Sequence, residues 1–249
     1  MVRVVNQLVK TAAPSAALHR IAARFNGRIV VADIVANRDP LPETNGDVVV
    51  VVKSGMTEDL FARLMEKPFR ACLEDGEDME DMAEEPRLAI TAAENSLYFW
   101  LTTATAFRIS TEHHVCTALE TRGGLSAARR GDVETALQEA LTNALIHGNL
   151  GLASTMRDDF QHYARFCTLL ETRLQACEGQ RRVEIAATWK DGWLEVSVMD
   201  HGEGFAETEK TKTPAAGGVI LHGLGIIRSL ASAVTFADAG RCLIMRFAP

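Results

Sequence analysis

No stretch of this sequence approaches the ~20 consecutive apolar residues that a membrane-spanning helix needs. The longest solid run is the valines Val48 to Val52, which fits a buried strand. The N-terminus, MVRVVNQLVK, also lacks the positive start, apolar middle and small-residue cleavage site of a secretory signal. A cytoplasmic location with no membrane contact is therefore expected. Cysteine is scarce and scattered: Cys72, Cys116, Cys167, Cys177 and Cys242 form no CxxC pair. That argues against a zinc ligand set or a disulfide framework and for free thiols in a reducing compartment. Positive charge is short as well, with 26 Lys and Arg against 33 Asp and Glu for a net charge of −7, and no long basic run. Nucleic acid is thus not an expected partner.

What remains is the composition of an ordinary soluble globule, 47% hydrophobic and 24% charged with zero mean hydropathy. At 249 residues it leaves room for one large core or two smaller ones. The first 87 residues read as a small α/β domain. A helical stretch from Asn6 to Phe25 leads to apolar strands at Arg28 to Asp33 and Asp47 to Val52, and a helix comes next at Thr57 to Met65. Residues 74 to 85 hold eight carboxylates and no base, the composition of a solvated linker.

From residue 88 the pattern changes. An apolar, strand-like run spans Tyr98 to Ile109, and Glu112 to Thr121 is helix-like. A helix with the best signals in the chain covers Val133 to His147, with Asp132 as its expected cap and Gly148-Asn149 as its left-handed stop. A stripe at 156, 160, 163, 167, 170, 174 and 177 marks another helix, packed on its own domain or offering a dimer seam. Strands at Val183 to Trp189 and Trp193 to Asp200 flank Lys190-Asp191-Gly192, a tight-hairpin signal. A helix from about Leu224 to Ala233 precedes a closing pair of strands, Val234 to Ala237 and Cys242 to Phe247.

Three motifs carry potential chemistry. In the first, Glu139, Asn143 and His147 recur every four residues and so share one helix face. An amide oxygen suits hard Mg²⁺, and a carboxylate beside it can take a proton from a nucleophile. Such a file can equally be a wet helix face. In the second, Asp200-His201-Gly202-Glu203-Gly204 ends a half-buried strand. There a carboxylate can accept from an exocyclic amine while glycines admit a flat ring, or the glycines simply make a turn. In the third, Gly217-Gly218 and Gly223-Leu224-Gly225 open a helix, a place where backbone N–H groups can face phosphates.

Taken together and in this order, the motifs resemble the N, G1 and G2 boxes of the GHKL ATPase superfamily, over roughly Ser96 to Pro249. The resemblance implies an α/β fold of the α+β kind: a two-layer sandwich of one mixed, largely antiparallel sheet with helices on one face. It implies ATP and Mg²⁺ as cofactors, with Asp200 on the adenine amino group, Asn143 on the metal and Glu139 as catalytic base. Gly202, Gly204, Gly223, Leu224 and Gly225 would shape the pocket, His147 would contact phosphate or cap its helix, and residues 207 to 218 with Lys210 and Lys212 would form a lid. The wording EALTNALIHGNLGL is most similar to the anti-sigma-factor serine kinases, which bind a sigma factor or related partner, phosphorylate Ser or Thr of a small antagonist protein, and commonly form homodimers. Where that family commonly has Gly-Thr near the C-terminus, this chain has Gly240-Arg241. Residues 1–87 only faintly resemble a degenerate receiver, through Asp33 and Lys67-Pro68-Phe69. Ser110 to His114 echoes the phosphoacceptor box of a sensor histidine kinase, an alternative reading alongside a non-catalytic, nucleotide-dependent binding module.

Overall fold

The computed structural model describes residues 2–5, 20, 29–32, 48–52, 56–66, 69–84, 95–152, 160–204 and 219–249. These fall into two compact units, one of residues 1–100 with 186–188 and one of residues 101–185 with 189–249.

The first unit is built on β-structure. Strand β1 (Val2–Val5) pairs antiparallel with β2 (Ile29–Ala32), and β2, β3 (Val48–Val52), β4 (Phe69–Glu74) and β5 (Ser96–Thr102) run parallel in that order. Solid apolar sequence suits such strands because a parallel sheet is covered on both faces. Val49, Val51 and Val52 accordingly have no exposed surface. Helix α1 (Glu58–Met65) starts where the Thr57 hydroxyl accepts from Leu60 N–H, and it buries Leu60, Phe61, Leu64 and Met65 along one stripe.

Residues 74–85, expected to form a linker, are instead largely structured. Glu74 closes β4 as a buried residue, and Met79–Glu84 form a short helix, α2, anchored by buried Met79. Met79 gives this otherwise acidic stretch an apolar side chain to bury.

Where the second unit begins, the run at 98–109 changes conformation midway. Strand β5 ends at Thr102, whose hydroxyl accepts from Thr105 N–H and caps α3 (Thr103–Arg108). Helix α4 (Thr111–Thr121) packs on α5 (Arg130–Thr142). Val133, Ala136, Leu137, Ala140 and Leu141 form the buried stripe of α5. Asp132 does not cap this helix. It lies in the first turn and pairs with Arg129 at 3.3 Å.

Helix α5 continues without a break into a π-helical segment, Asn143–Asn149. The left-handed stop comes later than expected, at Gly151 (φ 59°) rather than at Gly148-Asn149. Helix α6 (Phe160–Gln175) packs on this end: Phe166 is buried with Ile146, Leu150 and Leu152, and Arg173 donates to the Leu150 carbonyl. The stripe is rotated from its expected line, for Tyr163 is 52% exposed while Phe166 takes the core position.

Strands β6 (Arg182–Lys190) and β7 (Trp193–Asp200) are joined by Asp191 and Gly192, both at positive φ as a tight primed hairpin turn requires. Strand β9 (Cys242–Phe247) lies antiparallel between β7 and β8 (Ala233–Ala237). Helix α7 (Val219–Leu230) packs against α5. It begins five residues before the expected start, so Gly223 and Gly225 sit inside its first turns rather than ahead of it. The protein is α/β with mixed strand pairing, as the motifs imply: parallel in the first unit apart from the β1–β2 pair, and antiparallel among β7, β9 and β8 of the second.

Candidate functional site

The motif residues converge from three elements of the second unit: α5 with its π-segment, the end of β7, and the start of α7. Glu139 and Asn143 stand one turn apart and face α7 at Gly223. A methyl group built on Gly223 would lie 2.8 Å from Glu139 Oε2 and 3.6 Å from Asn143 Nδ2. The glycine therefore lets the helix backbone approach a carboxylate and an amide directly. Leu224 is buried beside it, while Gly225 has open space where a side chain would be.

His147 leaves this file. A π-turn holds one more residue than an α-turn, which rotates the residues beyond it by about 100°. His147 Nδ1–H donates to the Leu152 carbonyl at 2.5 Å, bracing the segment's end.

The same rotation brings Gly148 and Asn149 against the end of β7. A methyl group on Gly148 would sit 2.3 Å from Asp200 Cγ, inside the carboxylate. One on Gly202 would sit 2.2 Å from the Gly148 carbonyl oxygen. Asp200 is thus enclosed by two glycines and only 6% exposed. Its Oδ1 accepts from Gly202 N–H at 2.9 Å, and its own N–H donates to the Arg241 carbonyl at 3.1 Å. Burial pushes its pKa above the ordinary carboxylate value, while the Gly202 N–H and the charges of His201 and Arg241 pull the other way.

Three residues outside the motif roles hold this loop: Asn149, Thr103 and Glu184. Asn149, expected only as a helix stop, is fully buried and its Oδ1 accepts from His201 N–H at 2.8 Å. Its Nδ2 donates to Thr103 Oγ1 and to the Arg182 carbonyl, both at 2.8 Å. Glu184, 2% exposed, accepts from His201 Nε2 at 2.8 Å. In the sequence a buried Asn after a helix looks the same as an exposed one, so only the adjoining His147-Gly148 pair could have flagged it.

At the Gly240-Arg241 departure, Gly240 has φ 88° and Arg241 Nε donates to the Asp238 carbonyl. Main-chain support of Asp200 persists here without a threonine hydroxyl. Gly204 (φ 72°) packs on the same turn, where a methyl group would lie 2.7 Å from the Ala239 carbonyl. Lys210, Lys212, Gly217 and Gly218 lie outside the described residues, as do Asp33, Lys67 and Pro68. His113, of the phosphoacceptor echo, donates from Nδ1 to Glu134 at 3.0 Å across α4 and α5.

The arrangement has the parts a nucleotide needs. A buried carboxylate can receive an amino group, glycines leave room for a flat base, and a carboxylate and an amide stand together at a second place on the same helix. Among the described residues no helix is long and apolar enough to cross a membrane. No curated protein matches the chain. A family model described as the histidine kinase-like ATPase domain matches residues 102–247, from the first residues of the second unit to the end of β9. The chain therefore belongs to the histidine kinase-like ATPase family, whose domains bind ATP, and is a nucleotide-binding, kinase-like regulator.

Proposed function

We propose that the protein is an anti-sigma-factor type kinase that transfers the γ-phosphoryl group of ATP to a Ser or Thr of a partner protein. The observation that carries the reading is the joint placement of Asp200 between Gly148 and Gly202 and of Glu139 with Asn143 beside Gly223. The EALTNALIHGNLGL wording supports the subgroup.

In this reading Asp200 accepts from the adenine amino group, a charge-assisted bond of about 1.5–3 kcal/mol. Asn143 supplies one oxygen to Mg²⁺, which by habit takes one or two protein ligands and fills its remaining positions with phosphate and water. The metal, when bound, neutralises the charge that builds on the transferring phosphoryl group. Glu139, one turn from Asn143, takes the proton of the attacking hydroxyl as the new P–O bond forms and ADP leaves. No pocket residue becomes phosphorylated. The partner is a sigma factor or antagonist-like protein, the first unit supplies regulation, and the setting is cytoplasmic.

Two variants test it. Asp200→Ala abolishes ATP binding in calorimetric titration; undiminished affinity would remove the pocket assignment. Glu139→Gln keeps ATP binding and loses phosphotransfer to the co-encoded protein that acquires phosphoserine. Unchanged partner control by Glu139→Gln in cells would favour a sequestering module instead.

A further inference from the structure

We infer that Asn149 is the positioning residue of base selection, acting on the nucleotide through the direction it imposes on the Asp200 carboxylate. This rests on the proposed contact between Asp200 and the adenine amino group. The direction in which Asp200 points depends first on the two planar peptides that flank its Cα. The preceding peptide is held by its N–H on the Arg241 carbonyl at 3.1 Å. The following peptide is held by His201 N–H on Asn149 Oδ1 at 2.8 Å. With both planes fixed, only the side-chain torsions remain, and Gly202 N–H on Oδ1 restrains those. Asn149 is the one side chain among these three anchors.

The orientation of the Asn149 amide is set by its partners. The Arg182 carbonyl needs a donor and His201 N–H needs an acceptor, so a flipped amide would oppose like groups at both places. Thr103 Oγ1 gives its own proton to the Arg181 carbonyl at 2.8 Å and therefore accepts from Asn149 Nδ2. Arg181 in turn donates to the Asn149 main-chain carbonyl at 2.6 Å. An aspartate of equal size offers no donor to Arg182 or Thr103. A leucine would offer neither the acceptor to His201 N–H nor the donor to the Arg182 carbonyl. Asparagine alone fits both the shape and the donor pattern.

A residue that merely supported the fold would affect all ligands alike, whereas one that aims Asp200 affects only the base. The test compares ATP with purine riboside triphosphate, which lacks the amino group, and with Mg-tripolyphosphate, which lacks the base, on the full chain. In the parent protein ATP is preferred over the purine analogue on the order of 10- to 100-fold, the weight of one hydrogen bond to a carboxylate. In Asn149→Asp that preference falls to about 3-fold or less, with tripolyphosphate affinity held within about 2-fold. Thr103→Val, which removes the acceptor of one Asn149 N–H, gives a partial fall, and Thr103→Ser restores the preference. This pair carries the test if Asn149→Asp does not fold. Unchanged preference in the variants, with ATP and tripolyphosphate weakened in parallel, would overturn the inference and leave the Asp200 reading standing. Equal binding of ATP and the analogue by the parent protein would overturn both.

Discussion

The two ends of the site are built by opposite methods. Asp200 is held tightly on most sides and left 6% exposed: two glycines pack on the carboxylate, a backbone N–H binds it, and a buried amide and a buried carboxylate hold the following histidine. Around Glu139 and Asn143 the side chains are only half-buried, and a single glycine on α7 faces them. One end is assembled before any ligand arrives, and the other leaves room for groups that the ligand brings. A base is flat, neutral and always the same, so a fixed receptor suits it. Phosphates and a metal change position as a phosphoryl group moves, and side chains with freedom to follow suit them better.

The sharpest way to break this contrast is to add one methyl group at each end. Gly202→Ala drives a carbon to 2.2 Å from a backbone carbonyl, and Gly148→Ala drives one into a buried carboxylate. Neither neighbour can swing away, so each change costs about 3 kcal/mol. We expect a fall in Tm of roughly 5–10 °C by calorimetry, with ATP binding lost. Gly223→Ala meets the far end of the Glu139 side chain at 2.8 Å, which can move. Here we expect less than about 1 kcal/mol of destabilisation and retained ATP binding, with phosphotransfer reduced because Glu139 is displaced. Equal melting losses at the two ends would refute the contrast.

Acid titration probes the closed end more gently. Burial raises the Asp200 pKa, so as pH falls Asp200 is protonated before an ordinary aspartate would be. ATP affinity should then drop, because the neutral acid is a weaker acceptor. Stability responds in the opposite sense. Between the ordinary value and the raised one the folded protein binds a proton that the unfolded chain does not, so this group's contribution to stability falls as pH rises through that window. Comparing Asp200→Asn with the parent in both titrations isolates the two slopes; parallel slopes would be the wrong outcome.

The smallest effect concerns the thiols. Burial, with Glu134 adding to it, pushes the Cys116 pKa up to about 12, while Cys177 is exposed. A maleimide should label Cys177 within minutes and leave Cys116 unlabelled in the folded protein, read by mass spectrometry. Gly202→Ala should shorten that protection more than Gly223→Ala does.

The motif residues are legible in the sequence because each has a chemical reason to be where it is. Glu139 and Asn143 lie against Gly223, and Asp200 lies against Gly202. The Asp191-Gly192 turn is legible because so few residues accept positive φ. Tertiary contacts set the features that escape such a reading. The widening of the helix after Asn143 has no local signature in the sequence, and it moves His147 off the line of Glu139. Residues 74–85 have the charge of a linker, yet strand pairing claims Glu74 and α2 opens on the buried Met79. The change from strand to helix at Thr102 is marked by a hydroxyl cap, its Oγ1 accepting from Thr105 N–H.

Gly148, Asp200 and Gly202 touch one another so closely that neither glycine can enlarge independently of the other two positions. A larger residue at 148 would require a smaller one at 200, which removes the acceptor. A larger one at 202 would require the backbone at 148 to retreat. For sequence drift the three positions amount to one character with few allowed states. A descendant of this protein that had given up nucleotide would be expected to show it by changes at all three, long before Glu139 gave any sign.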